Sequence, residues 1–176
     1  MANREALREL QSRLAERLQL ARTEERHTSW LAVECAGTGL LVPLAGAGEI
    51  FSVSTLLPVP HTQPWFLGVA NLRGGLHGVV DLAAFLGLRA AGLPDTGREQ
   101  ARLLALNPAL SAHSALWVDR LAGLRSGEHL SAEAADDDSP RPAFARGRWR
   151  DGEGRQWQEI DLAALARHDQ FLAIAA

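Results

Sequence analysis

The chain has 176 residues, enough for one domain or for two small intertwined halves around one core. With 47% hydrophobic and 22% charged residues it is not a mostly disordered chain. A formal charge of −3 offers no electrostatic grip on nucleic acid or on an anionic membrane.

From the N-terminus, Asn3 to Glu25 is helical by pattern. Leu7, Leu10, Leu14, Leu18 and Ala21 recur at three- and four-residue steps, with Arg and Glu on the other faces. The charge density of Met1–Arg26 is unlike a signal peptide, and no stretch reaches the roughly 18 apolar residues needed to span a bilayer. The lone cysteine, Cys35, has no internal disulfide partner and fits a reducing, cytoplasmic compartment.

From Trp30 the pattern changes to short β segments punctuated by Gly and Pro. Trp30–Cys35 and Leu40–Val42 flank a turn at Ala36-Gly37-Thr38-Gly39, and Ile50–Leu57 reads as a strand ending at Pro58. Gly68–Leu72 and Leu76–Asp81 flank Arg73-Gly74-Gly75 as a second hairpin. Asp81 caps a short helix, Leu82–Leu86, which Gly87 ends. Residues 89–100 form a polar connector before strands at Arg102–Leu106, Ala115–Val118 and Leu121–Leu124. Ser126–Pro142 reads as a long loop with a self-repelling Asp136-Asp137-Asp138 centre. Phe144–Arg150 and Arg155–Ile160 form a third hairpin, Asp161 starts a helix over Leu162–Arg167, and the apolar Phe171–Ile174 closes the chain. Val80-Asp81-Leu82-Ala83-Ala84-Phe85-Leu86 and Ile160-Asp161-Leu162-Ala163-Ala164-Leu165-Ala166 suggest an internal repeat. Short strands with frequent turns point to small barrels.

No catalytic or cofactor set emerges. The six His are scattered, and one Cys cannot complete a metal site. Without Lys there is no phosphate-binding Gly-Lys-Ser/Thr loop, and a Gly-x-Ser-x-Gly elbow is missing. Cys35 reads as a small buried hydrophobe. Asp136–Asp138 with Glu133 lack the spacing of a Ca²⁺ loop. Trp117, Trp149 and Trp157 read as core or edge β residues rather than a nucleic-acid stacking platform. A domain built this way works by its surface.

The densest signal is Pro64-Trp65-Phe66-Leu67-Gly68-Val69-Ala70-Asn71-Leu72-Arg73-Gly74-Gly75-Leu76-His77-Gly78-Val79-Val80-Asp81-Leu82: an approach turn, a strand, a tight turn with an exposed Arg, a strand and a capped helix. It resembles the signature hairpin of the CheW family of chemotaxis coupling proteins, in which Gly-Val-x-Asn-Leu-Arg-Gly leads to Val-Val-Asp-Leu. Gly48-Glu49-Ile50, Leu103–Asn107, Ala115-Leu116-Trp117-Val118-Asp119 and Asp161-Leu162 extend the resemblance over most of the chain from Trp30 onward. Pro64-Trp65, the N-terminal helix and Phe171-Leu172-Ala173-Ile174 look like the twitching-motility (PilI-type) branch. Gly78 stands where many members have Pro, and Gly75 replaces a usual apolar residue.

The resemblance implies a mainly β fold of two small five-stranded, SH3-like barrels around a shared core, with an N-terminal helix and short connecting helices. It divides the chain into a helical extension, residues 1–27, and a CheW-like domain, residues 28–176. It further implies a non-catalytic adaptor without cofactor or metal. The expected partners are the regulatory domain of a CheA-type histidine kinase and the cytoplasmic tip of a methyl-accepting chemoreceptor, with neither nucleic-acid binding nor membrane insertion. The protein would be cytoplasmic, recruited to membrane-associated receptor arrays. Glu49, Ile50, Asn71, Arg73, Gly74 and Leu76 would form the partner-binding surface, with Glu49 and Arg73 as an ion pair. The rival expectation is a free-standing regulatory domain that binds a small ligand between the barrels.

Overall fold

The computed structural model describes residues 29–92, 99–134 and 141–176. The helix expected over Asn3–Glu25, the middle of the 89–100 connector and the Asp136–Asp138 run lie outside the described residues.

Eleven strands make two mixed sheets among the described residues. The first half of the chain supplies β1 (Ser29–Cys35), β2 (Thr38–Pro43), β3 (Ala47–Ser52), β4 (Phe66–Leu72) and β5 (Gly75–Asp81). The second half supplies β6 (Arg102–Leu106), β7 (Ser114–Val118), β8 (Arg120–Ser126), β9 (Leu130–Glu133), β10 (Ala145–Asp151) and β11 (Gln156–Ile160). The sheet orders are β8-β1-β2-β11-β10-β9 and β3-β6-β7-β5-β4. Each sheet is therefore the leading hairpin of one half completed by strands of the other. In both, the last hairpin strand joins in parallel: β11 beside β2, and β5 beside β7. The internal repeat is thus a pair of interlocked halves, and neither can close its sheet alone.

The inner strands β1, β2, β6 and β7 are buried on both faces. In β1, Leu31, Val33 and Cys35 enter a core shared by the two sheets. Trp30 and Ala32 point the other way and meet Leu41, Leu130 and Trp157 in a core belonging to the first sheet. In β7, Leu116 and Val118 face the shared core, while Ala115 and Trp117 join Leu67, Leu72, Val79 and Leu103 in an inner core of the second sheet. Strands buried on two faces read as continuous apolar runs rather than as alternation, which is why Leu103–Leu106 and Ala115–Val118 carry no polar face.

The second sheet closes on itself. Leu57, in the segment after β3, exchanges two backbone hydrogen bonds with Val69 of β4, of 2.8 and 2.9 Å. Gly68 makes that approach possible: it adopts φ +125°, and a Cβ there would collide with the Leu57 carbonyl oxygen. In the first sheet the corresponding segment is a full strand. The chain leaves β8, turns through Gly127–His129 and pairs as β9 with β10. This corrects the reading of Ser126–Pro142 as a continuous loop, and it makes the first sheet six-stranded where five strands were expected.

The local expectations shift by a residue or two. The first turn is Ala36-Gly37 alone, with Thr38 and Gly39 already in β2, and Gly75 belongs to β5. The strand expected over Ile50–Leu57 is β3, ending at Ser52, followed by irregular chain up to the Leu57 bridge. Two short helices follow their hairpins as expected, Leu82–Phe85 capped by Asp81 and Leu162–Leu165 capped by Asp161. The closing apolar run supplies a third, Asp169–Leu172, which places Phe171 in the shared core against Trp65 and Phe85. None of the helices among the described residues is long and apolar enough to cross a membrane.

Candidate functional site

The β4–β5 hairpin projects from the second sheet through a two-residue turn, Arg73-Gly74, between the paired Leu72 and Gly75. Both turn residues have positive φ, 50° and 81°, as the two-residue hairpin turn that matches strand twist requires. A non-glycine residue in this region costs about 1–2 kcal/mol, so Arg73 sits where the backbone disfavours it. Asn71 offsets part of that cost, because its Oδ1 accepts from the Gly74 N–H at 2.8 Å. The Asn-Leu-Arg-Gly sequence is therefore a turn with its own side-chain lock.

The released Arg73 reaches β3 and pairs with Glu49 at 2.6 Å. Glu49 is available because β3 is bulged: its register with β6 shifts between Ala47 and Ile50. Gly48 fits the bulge against the Ala105 and Leu106 carbonyls, where a Cβ would stand 2.8 Å from each oxygen. The bulge turns two successive residues, Glu49 and Ile50, toward solvent. The ion pair is open, with side-chain exposures of 76% for Arg73 and 42% for Glu49. Leu76 lies directly across from Asn71 and is 64% exposed. Leu57 and Val59, from the closing segment, add exposed apolar surface. All six residues singled out from the sequence thus belong to β3 or the β4–β5 hairpin. Glu49 is joined to Arg73 by the ion pair, Asn71 to Gly74 by the turn lock, and Leu76 to Asn71 by register.

The sequence reading missed a cluster at the crossing of the halves. Arg89 donates from Nε and Nη2 to both carboxylate oxygens of Asp81, at 3.0 and 2.7 Å, and from Nη1 to Asp119 at 2.7 Å. Asp119 in turn accepts from the Ala36 N–H at 2.7 Å. Burial pulls the guanidinium pKa down, but the two carboxylates outweigh it and hold Arg89 above its ordinary value. Nearby, Glu34 receives Arg120 at 2.9 and 2.6 Å and also pairs with Arg155. Burial raises the Glu34 pKa, yet the hydrogen bonds and charges of the two Arg bring it below the usual carboxylate range. The only available signal was the all-Arg basic set, whose planar forks suit bidentate carboxylate pairing.

The chemistry of these groups is that of fixed acceptors and an inert thiol. Asp151 is held low by the Trp157 indole N–H and by the Arg155 and Glu153 amides. Cys35 is buried, and burial with the nearby Asp119 charge pushes its thiol up to about 12. Among the described residues there is no group of three or more His, Cys, Asp or Glu able to hold a metal ion.

Comparisons with known proteins fit this architecture. Protein PilI of Pseudomonas aeruginosa is 27% identical over 157 residues, covering 86% of this chain and 84% of PilI. Among solved structures, the scaffolding protein TtCheW from Thermoanaerobacter tengcongensis superposes with a TM-score of 0.61 at 17% identity, covering 76% of this chain and 88% of that one. The family model of the CheW-like domain matches residues 29–170, from the first residue of β1 to the last short helix. The chain belongs to the CheW-like domain family.

Proposed function

We propose that this protein is a non-catalytic adaptor that couples chemoreceptors to a CheA-type histidine kinase, in the chemosensory system that controls type IV pilus twitching motility. In this reading residues 28–176 are the coupling domain and residues 1–27 an extension of it. The domain acts in the cytoplasm at receptor arrays, binding the kinase regulatory domain and a receptor's cytoplasmic tip. Likeness to PilI over most of both chains supports the pilus assignment.

The observation that carries the reading is the Glu49–Arg73 pair on its strained turn. An exposed ion pair contributes about 0–1 kcal/mol, no more than the turn conformation costs. The arrangement adds little to the fold and presents a fixed charge pair beside Ile50 and Leu76, the make-up of a contact surface with an apolar centre and a polar rim.

The test is charge reversal. Arg73→Glu is expected to keep the melting temperature within about 2 °C, because the side chain is 76% exposed and its open ion pair contributes about 0–1 kcal/mol, while removing receptor-dependent control of kinase activity. The double exchange Glu49→Arg with Arg73→Glu restores the pair within the protein but presents it reversed, so kinase control stays lost if a partner reads the charges. Full kinase control and normal pilus motility with Arg73→Glu would overturn the assignment.

A further inference from the structure

Two His that lie far apart in sequence meet in the fold. β5 and β7 run in parallel with Gly78 paired to Ser114. His77 and His113 form the next pair back, on the face that Val79 and Ala115 present to the inner core of the second sheet. Their rings stand edge to face with centroids 6.1 Å apart. His77 is half-buried and His113 exposed.

The hairpin shapes this pair at the two glycines where it departs from the family motif. The Gly78 N–H donates to the His113 carbonyl at 2.9 Å, a bond that proline has no hydrogen to make. It holds the residue before β7 against β5. Gly75 leaves the space beside the His77 ring, since a Cβ there would stand 3.2 Å from His77 Cε1. The ring places Nδ1 3.0 Å from the Gly75 carbonyl oxygen. A carbonyl only accepts, so Nδ1 carries the proton and the lone pair of the neutral ring is on Nε2. Metal-binding imidazoles are oriented by an outer hydrogen bond of this kind. Among the described residues, no hydrogen bond or ion pair engages Nε2 of His77 or either ring nitrogen of His113.

We propose that His77 and His113 chelate a divalent late transition metal of the zinc and nickel class, with water completing the shell. Imidazole is a ligand suited to these ions. A cation about 2.0–2.1 Å from one nitrogen of each ring holds the two centroids about 5–6 Å apart. The observed 6.1 Å asks only for a small turn of the exposed His113 ring. Two protein ligands leave positions open, so the site exchanges its metal, unlike a closed structural centre. Because β5 belongs to the first half of the chain and β7 to the second, the bound ion clips the seam between the halves. It also fixes the strand that begins at Gly75, directly after the Arg73-Gly74 turn. The site stands on its own geometry and does not depend on the coupling function proposed above.

The experiment titrates the full chain with Zn²⁺ and with Ni²⁺ by calorimetry and follows the urea midpoint with and without each ion. Either ion is expected to bind and to raise the midpoint, because unfolding separates the two ligands. His113→Ala and His77→Ala should each weaken binding about tenfold or more and abolish the rise. His129→Ala, whose ring is bonded to Ser126, should change neither. Paramagnetic Ni²⁺ should broaden the amide resonances of Gly78 and Ser114 before those of Ser126 and His129. Should His77→Ala fail to fold, His113→Ala at its exposed position carries the test. Unchanged affinity in His113→Ala, an equal loss in His129→Ala, the reverse order of broadening, or a midpoint indifferent to both ions overturns the proposal.

Discussion

Asp81 and Asp161 start from almost the same sequence and end in different roles. Each stands where the last strand of a hairpin ends, precedes Leu-Ala-Ala and caps a one-turn helix. Asp161 is the better cap, with Oδ1 accepting from the Ala163 and Ala164 amides at 2.9 and 3.0 Å. Its ion-pair partner, Arg146, lies in the same hairpin, and the carboxylate side chain stays 27% exposed. Asp81 makes a single capping bond of 3.2 Å, to Ala84, but its side chain is 0% exposed and is gripped by Arg89. Through Arg89 and Asp119 it is tied to Ala36, in the leading hairpin of the first sheet. One repeat unit spends its aspartate on a local cap. The other uses it as a joint between interlocked sheets.

Removing the cation of that joint should have the largest effect. Arg89→Ala leaves the fully buried Asp81 with one capping amide, and breaking a buried pair on one side costs about 3–5 kcal/mol. Arg89→Lys should not restore it, because one ammonium cannot reproduce a fork held by three carboxylate oxygens. Urea unfolding measures both variants, and a loss under about 1 kcal/mol for Arg89→Ala would break the distinction between joint and cap. Asp161→Ala should cost less, about 1–2 kcal/mol, as a lost N-cap plus a partly exposed ion pair, and Asp161→Asn should recover most of it because Asn also caps.

A smaller effect concerns pH. Burial raises the Asp161 pKa, but the Ala164 and Ala163 amides and Arg146 together hold it below the ordinary 3.8; Glu34 likewise lies below 4.5. Groups with lowered folded pKa values stabilise the fold above their unfolded pKa, and that contribution fades as the pH falls through the folded value. Urea midpoints should therefore be flat near neutrality and fall below about pH 4. Asp161→Asn should flatten part of that acid limb, and an unchanged limb would show that Asp161 is not linked to folding. The finest readout is Cys35, next to the Ala36 amide that Asp119 holds. Maleimide at pH 8 should not modify it in the native protein. Modification should quicken in Arg89→Ala, which loosens the joint, and not in Asp161→Ala; equal rates in the two variants would erase the contrast.

What the sequence determined by itself is what lies within a few residues along the chain. The Arg73-Gly74 turn with its Asn71 lock, both Asp-started helices and the three hairpins all depend on contacts spanning a few residues, so composition and spacing report them. The pairing of Glu49 with Arg73 was legible for a different reason: the long ordered motif resembles a known family. What tertiary structure decided depends on distant partners. Ser126–Pro142 gave no strand signal because β9 is short and is fixed by pairing with β10. Arg89 sat unremarked in a polar connector because its carboxylates come from residues 81 and 119, and the last link of that chain, Ala36 to Asp119, spans 83 positions. The same Asp-Leu-Ala-Ala stretch became a cap or a joint according to whether the opposite half delivered a cation to a buried side chain, and local sequence does not encode burial of that kind.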